Sequence, residues 1–187
     1  MRNRKSKMSL FHHLTLKQLD AIAFSRGPGS FTSLRIGAGV VQGFAFGANL
    51  PVVPVSSLAV LAQGVGAPKV LAAFDARMNQ VYWGAYARNE KGLMELQGQE
   101  IVIAPAEVPI PEGSGWIGAG SGWDQYAAVL TARLGNHVNE WRKQVFPKAS
   151  QVAALGLELL KAGQTVTAEQ ALPVYVRDEV AVKQVSR

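Results

Sequence analysis

Between Leu19 and Gly64 the chain reads strand, glycine turn, helix, strand, helix, and no other feature restricts its fold as tightly. The run Leu19 to Phe24, LDAIAF, is short, apolar and closed by Gly27, Pro28 and Gly29, which predicts a buried strand ending in a tight turn. Ser30 or Thr32 can cap a helix from about Phe31 to Phe46, with Gly47 as its stop. Pro51 to Val55, PVVPV, reads as a second strand, and Ser56 or Ser57 can cap a helix ending near Gln63 and Gly64. Strand and helix in alternation favour parallel pairing with a right-handed crossover.

Beyond Gly64 the rhythm changes. Lys69 to Phe74, Val81 to Ala87, Leu93 to Leu96 and Glu100 to Ile103 are β-rich runs separated by turns, the pattern of antiparallel strands. A short strand at Trp116 to Gly118, a helix at Trp123 to Leu134 and an amphipathic helix at Ser150 to Leu160 follow, then the tail LPVYVRDEVAVK. The change near Gly64 to Lys69 divides the chain into lobes 1–66 and 67–187.

With 187 residues, 48% of them hydrophobic, the chain can bury a substantial core. It contains no cysteine, which removes disulfides, thiolate catalysis and cysteine zinc sites together and fits a reducing compartment. The longest apolar run, Ile36 to Phe46, is too short to span a bilayer, and MRNRKSK at the start is not followed by a signal-peptide core. A cytoplasmic protein without a membrane partner is expected. The net charge of +6 comes from scattered side chains and reads as a solvated surface more than a nucleic-acid footprint.

The motifs are few. Gly27, Gly29, Ser30 and Thr32 stand between strand and helix, where free N–H groups can hold an anion or a nucleotide phosphate, but a tight turn is the favoured reading. Neither the dinucleotide fingerprint nor the P-loop is matched. Gly37, Gly39 and Gly43 lie inside the first helix, each costing about 1 kcal/mol relative to alanine, so close packing must compensate. Gly39, Gly43 and Gly47 form one stripe with Arg35 a turn before them. Spacing alone favours a partner within the same domain over a second subunit.

Asp75 and Arg77 sit where a strand ends, able to close the turn or orient a ligand, and closure is the expectation. WIGAGSGW, Trp116 to Trp123, reads as a flexible connection that could also cover a nucleotide, and the four tryptophans read as core and rim residues. His12, His13 and His137 lack metal-site spacing, and no Gly-x-Ser-x-Gly elbow occurs.

Three of these stretches together, SRGPGSFTSLRIGAGVVQGFAFGANLPVVPVSSL, DARMNQVYWGAY and LPVYVR, resemble the bacterial TsaB (YeaZ) family over roughly Leu16 to Val182. The resemblance implies the α/β superfold of actin, Hsp70 and the sugar kinases, which is ribonuclease H-like and two-lobed. It implies a non-catalytic partner of TsaD in forming N6-threonylcarbamoyladenosine at position 37 of ANN-decoding tRNAs, with TsaE as a further component, tRNA reached through the complex, and a homodimer as an alternative assembly. Arg35, Gly39, Gly43 and Gly47 become interface candidates, because this helix enters a helical-bundle contact in the family. Gly27, Gly29, Ser30, Thr32 and Asp75 are the candidates for an anion or nucleotide. No resident cofactor is expected, with ATP or ADP confined to the complex.

TsaD-type proteins carry two metal-binding histidines in the segment matching VSSLAVL, where this chain has Ser57 and Leu61. A hydroxyl and an isobutyl group cannot replace two imidazoles on a transition metal, so no transfer reaction by this chain alone is expected. The competing readings are a nucleotide-binding ATPase, a glycoprotease-like peptidase, and a homodimeric sensor of nucleotide or tRNA. Family members begin with a strand of the type ILAIDTA, a hairpin and a helix, whereas MRNRKSKMSLFHHLTLKQL stands there in this chain. The expectation is an N-terminal lobe lacking on the order of 40 residues, with one sheet edge or face left open.

Overall fold

The computed structural model describes residues 15–177; the basic N-terminal stretch, His12 and His13 lie outside them. Two sheets organise the chain. β1 (Ile22–Gly27) pairs in parallel with β2 (Val52–Ser56), connected by α1 (Phe31–Ala48). The second sheet has the order β5 (Met94–Leu96), β4 (Val81–Arg88), β3 (Lys69–Asp75), β7 (Trp116–Ala119), β8 (Val138–Arg142), with β6 (Ile101–Ile103) also paired to β4. β3 and β4 run antiparallel over seven residue pairs from Lys69↔Ala87 to Asp75↔Val81, whereas β7 is parallel to both β3 and β8.

Helices cover both faces of each sheet. Phe24 and Val52 pack beneath Ala38 and Ala45 of α1, while Val53 and Val55 point the other way, onto Leu155 of α4 (Ala149–Lys161). That is the alternation expected of strands buried on both sides. Gly156 lets α4 approach β1 so closely that a Cβ there would stand 2.7 Å from the Ala23 methyl. In the second sheet Val70 and Ala72 face Leu58, Leu61 and Val65 of α2 (Ser57–Val65), and Leu71 and Ala73 face Trp123 and Leu130 of α3 (Ser121–Leu134). Trp83, Trp116 and Trp123 are core residues, as expected, and the Trp123 indole donates to the Leu71 carbonyl at 2.8 Å.

Ser56 caps α2, its hydroxyl accepting from the amides of Leu58 and Ala59, and Gly66 closes the helix in the left-handed region at φ 75°. α1 ends instead at Asn49 (φ 53°), two residues beyond the stop expected at Gly47. The GAGSG segment departs furthest from expectation. It is no flexible connection: Gly118, Gly120 and Gly122 are wedged against Trp123 and Ala73, and α3 begins at Ser121. After α4 the chain returns to the first sheet, where Val166 exchanges backbone hydrogen bonds with Val52 at 2.8 and 2.9 Å. Among the described residues β1 has no strand on its side away from β2.

Candidate partner interface

α1 buries one face and leaves the other unusually apolar. Ala38 and Ala45 are buried, but Ile36, Val40, Phe44 and Phe46 are 64%, 51%, 51% and 76% exposed. Ile36, Val40 and Phe44 recur every fourth residue, so they form a ridge. Gly39, Gly43 and Gly47 stand three residues after each of them and form a shallow groove alongside. A Cβ built on Gly37, Gly39, Gly43 or Gly47 meets nothing within 4 Å. The internal partner that spacing favoured is therefore absent: no other part of the described chain packs on these glycines. A ridge beside a groove is the surface that a second helix fits, and a contiguous apolar patch of this kind marks an interaction site.

The C-terminal segment 166–177 straps this helix to the rest of the molecule. The buried Ala171 sits beneath α1, and its carbonyl accepts from the Gln42 side chain at 3.3 Å. The Val174 amide donates to the Arg26 carbonyl at 2.8 Å. Tyr175 stacks on Phe31 with ring centroids 5.5 Å apart and accepts at its hydroxyl from Arg35 Nε at 3.1 Å, while the Arg35 guanidinium lies 3.9 Å over the Phe31 ring. Arg35 thus belongs to the strap contact at the start of α1, and the three glycines lie further along the open face.

The anion candidates are only partly assembled. Gly27 has φ 113°, and a Cβ there would stand 2.7 Å from the Val174 carbonyl, so the close approach Gly27 permits is taken by the strap, with an acceptor rather than a donor. Gly29 is less constrained, since a Cβ would make ordinary contact with Leu34 at 3.9 Å. Ser30 occupies the N-cap position of α1 without a side-chain cap bond, and Thr32 is exposed in the first turn. Asp75 lies on the other sheet, pairs with Arg77 at 3.1 Å and accepts from the Arg77 amide at 2.9 Å, closing its turn as expected. In that turn Arg77, Met78 and Asn79 all have positive φ, between 53° and 61°. Arg177 holds it from the strap, donating to the Ala76 carbonyl at 3.2 Å and to Gln80 Oε1 at 2.5 Å. Arg177 ends the LPVYVR stretch; sequence patterning gave no sign of its partner 97 residues away.

The two positions that the resemblance sets against TsaD's metal ligands, Ser57 and Leu61, do not fit a metal. Ser57 shares a hydrogen bond of 2.7 Å with Ser25, and Leu61 is fully buried in the core against α2's sheet. Among the described residues no group of three metal-ligating side chains comes together. Ser56 does meet a carboxylate, since its hydroxyl and that of Tyr86 both donate to Glu100 Oε1. Its oxygen already accepts two α2 amides, which makes it a helix cap and a poor nucleophile.

Burial, and next the Glu100 charge, hold the Tyr86 hydroxyl well above the ordinary tyrosine value of 10.0. Its folded pKa is raised, so its contribution to stability is complete below pH 10 and falls as pH rises beyond it, where only the unfolded chain ionises. In a spectrophotometric titration one of the four tyrosines stays un-ionised until the chain unfolds. Four tyrosines titrating together in a folded chain would contradict this burial.

The comparisons with known proteins agree on the lineage. The family model for TsaD, tRNA N6-adenosine threonylcarbamoyltransferase, matches residues 9–184. The Escherichia coli (strain K12) tRNA threonylcarbamoyladenosine biosynthesis protein TsaB is 39% identical over 176 residues, which cover 90% of this chain and 75% of that protein. The chain belongs to the TsaB (YeaZ) family. Haemophilus influenzae TsaB is 34% identical over 183 residues, 91% of this chain and 75% of that protein. YeaZ from Pseudomonas aeruginosa, a solved structure, superposes with a TM-score of 0.79 at 44% identity, covering 87% of this chain and 76% of the other. The ribonuclease H-like fold expected from the resemblance is the fold of this family. Among the described residues no helix is long and apolar enough to cross a membrane.

Proposed function

We propose that this chain is a non-catalytic subunit of threonylcarbamoyladenosine formation on tRNA, docking on TsaD through the open face of α1. The observation that carries the reading is the uncovered ridge of Ile36, Val40 and Phe44 beside the glycine groove, on a chain whose curated relatives are TsaB proteins. A helix from TsaD fills the groove, and the bundle excludes water from a ridge that is otherwise exposed. Activation requires the chain to bind one state of TsaD more tightly than another, not merely to touch it. The serine and leucine at the ligand positions, and the capping role of Ser56, leave the metal and the transfer chemistry with TsaD. TsaE and tRNA are met through the complex, and any ATP or ADP is bound there, because the strap carbonyl already occupies the space at Gly27.

A homodimer uses the same ridge, so a second copy competes with TsaD for it. Size-exclusion chromatography with light scattering, on the chain alone and mixed with its cognate TsaD, tests the reading. A one-to-one complex is expected, lost on V40E/F44E, together with the tRNA modification that depends on it. If TsaD and TsaE modify tRNA at the same rate without this chain, the proposal fails.

A further inference from the structure

A second feature lies beside β2. Here β2, the β5–β6 turn and α4 enclose a cleft of about 860 Å³, within the size range of small-molecule sites. Its wall carries two opposite charges that do not meet. Glu100 is fixed by the hydroxyls of Tyr86, itself 1% exposed, and Ser56, both of which donate to Oε1. Glu100 Oε2 has no hydrogen-bond partner among the described residues. Arg26 at the end of β1 lines the same cleft, and its charge reaches the Tyr86 hydroxyl. Its guanidinium likewise makes no ion pair or side-chain hydrogen bond among the described residues. The other charges on the wall are accounted for: Lys91 pairs with Glu158 at 3.4 Å, Glu158 also with Lys161 at 2.6 Å, and Glu95 points from the exposed rim. The same lining includes the apolar side chains of Val55, Leu155 and Leu159.

We propose that this cleft binds a small zwitterion with an apolar body, of the amino-acid or short-peptide class, its carboxylate on Arg26 and its ammonium on Glu100. The two charges of opposite sign share one wall, each partly exposed, and are not paired with each other. A ligand carrying both complementary charges can engage the two at once. Leu155 and Leu159 take its side chain. The carboxylate is held in advance by Tyr86 and Ser56, so little ordering is required of the protein on binding.

The full chain, followed by two-dimensional amide NMR, is titrated with L-leucine, with L-leucyl-L-leucine, and with the same dipeptide acetylated and amidated. Saturable shifts around Arg26, Ser56 and Glu100 are expected from a zwitterionic probe. Leucine alone sufficing points to a free amino acid, and the dipeptide alone to a peptide. The capped dipeptide is expected to bind at least about tenfold more weakly, as is the zwitterion to R26Q, with the unfolding midpoint of R26Q unchanged. No saturable shift up to about 10 mM of either zwitterion overturns the proposal. So does equal binding of capped and uncapped dipeptide, or an R26Q titration identical to that of the parent. None of these readouts depends on TsaD or on α1.

Discussion

Replacing Gly39 and Gly43 together by alanine is expected to raise the thermal unfolding midpoint of the isolated chain and to weaken the docking on TsaD proposed above. Each glycine lies in an exposed helix interior, and a Cβ at either position meets nothing within 4 Å. The substitutions therefore recover about 1 kcal/mol of helix propensity apiece without a clash. At roughly 2 to 4 °C per kcal/mol for a chain of this size, the pair is worth about 4 to 8 °C in a calorimetric scan. The same two methyls fill the groove into which a partner helix settles, and a loss of about tenfold in affinity or more is expected from the lost close contact. A stabilised variant that docks with undiminished affinity would show that the groove is not where the partner sits. Ordinary structural glycines lose stability on such a change, so a gain in stability coupled to a loss of binding is a signature that few other surfaces on this chain can give.

Gly120→Ala goes the opposite way. Gly120 has φ 105°, and its Cβ would stand 2.3 Å from the Ala73 carbonyl oxygen and 2.6 Å from Leu61. Neither neighbour can yield, because Ala73 is in the central strand β3 and Leu61 is fully buried. Overpacking and a disfavoured backbone act together, and a loss of about 4 kcal/mol or more is expected by urea denaturation, enough to leave little folded chain. Gly115→Ala is the control. Its φ of 82° is also left-handed, but nothing lies within 4 Å, so only the backbone cost of roughly 1 to 2 kcal/mol remains. Equal losses at the two positions would show that steric contact in the GAGSG segment contributes nothing.

These glycines also mark how far the sequence could be read. The β1–α1–β2–α2 order, the Ser56 cap and the closure between Asp75 and Arg77 follow from local chemistry, and they occur as expected. The apolar run Leu19 to Phe24 predicts β1 three residues early, because the run stops at Phe24. Backbone pairing of Ser25 and Gly27 with β2 carries the strand on past Phe24, with Arg26 at a register shift between them, and the polar side chains of Ser25 and Arg26 gave no signal. β8 carries no sequence signal for a related reason: VNEWR is largely exposed, and it is a strand because β7 offers it a parallel partner. Glycine itself was ambiguous. The same residue type marks a wedge at Gly118 and Gly120 and an open face at Gly39 and Gly43, and only the positions of Trp123 and Ala73 separate the two cases. The cleft charges were invisible, since Arg26 at the end of β1 and Glu100 in the β5–β6 turn stand 74 positions apart and only the topology brings them to one wall.

The strap carries a consequence for how the chain is made. β1, α1 and β2 are complete by Ser56, yet the two surfaces that cover them, α4 and segment 166–177, are the last described parts of the chain to be synthesised. During translation at about 5 to 20 residues per second, a βαβ unit whose Val53 and Val55 face is bare, and whose β1 has no further strand among the described residues, waits several seconds for its cover. The second sheet needs no such wait, because β3 to β8 and α3 are contiguous and supply their own core. Assembly of this molecule is therefore expected to run from the middle outwards, with the N-terminal unit kept in a holding state until its C-terminal strap emerges.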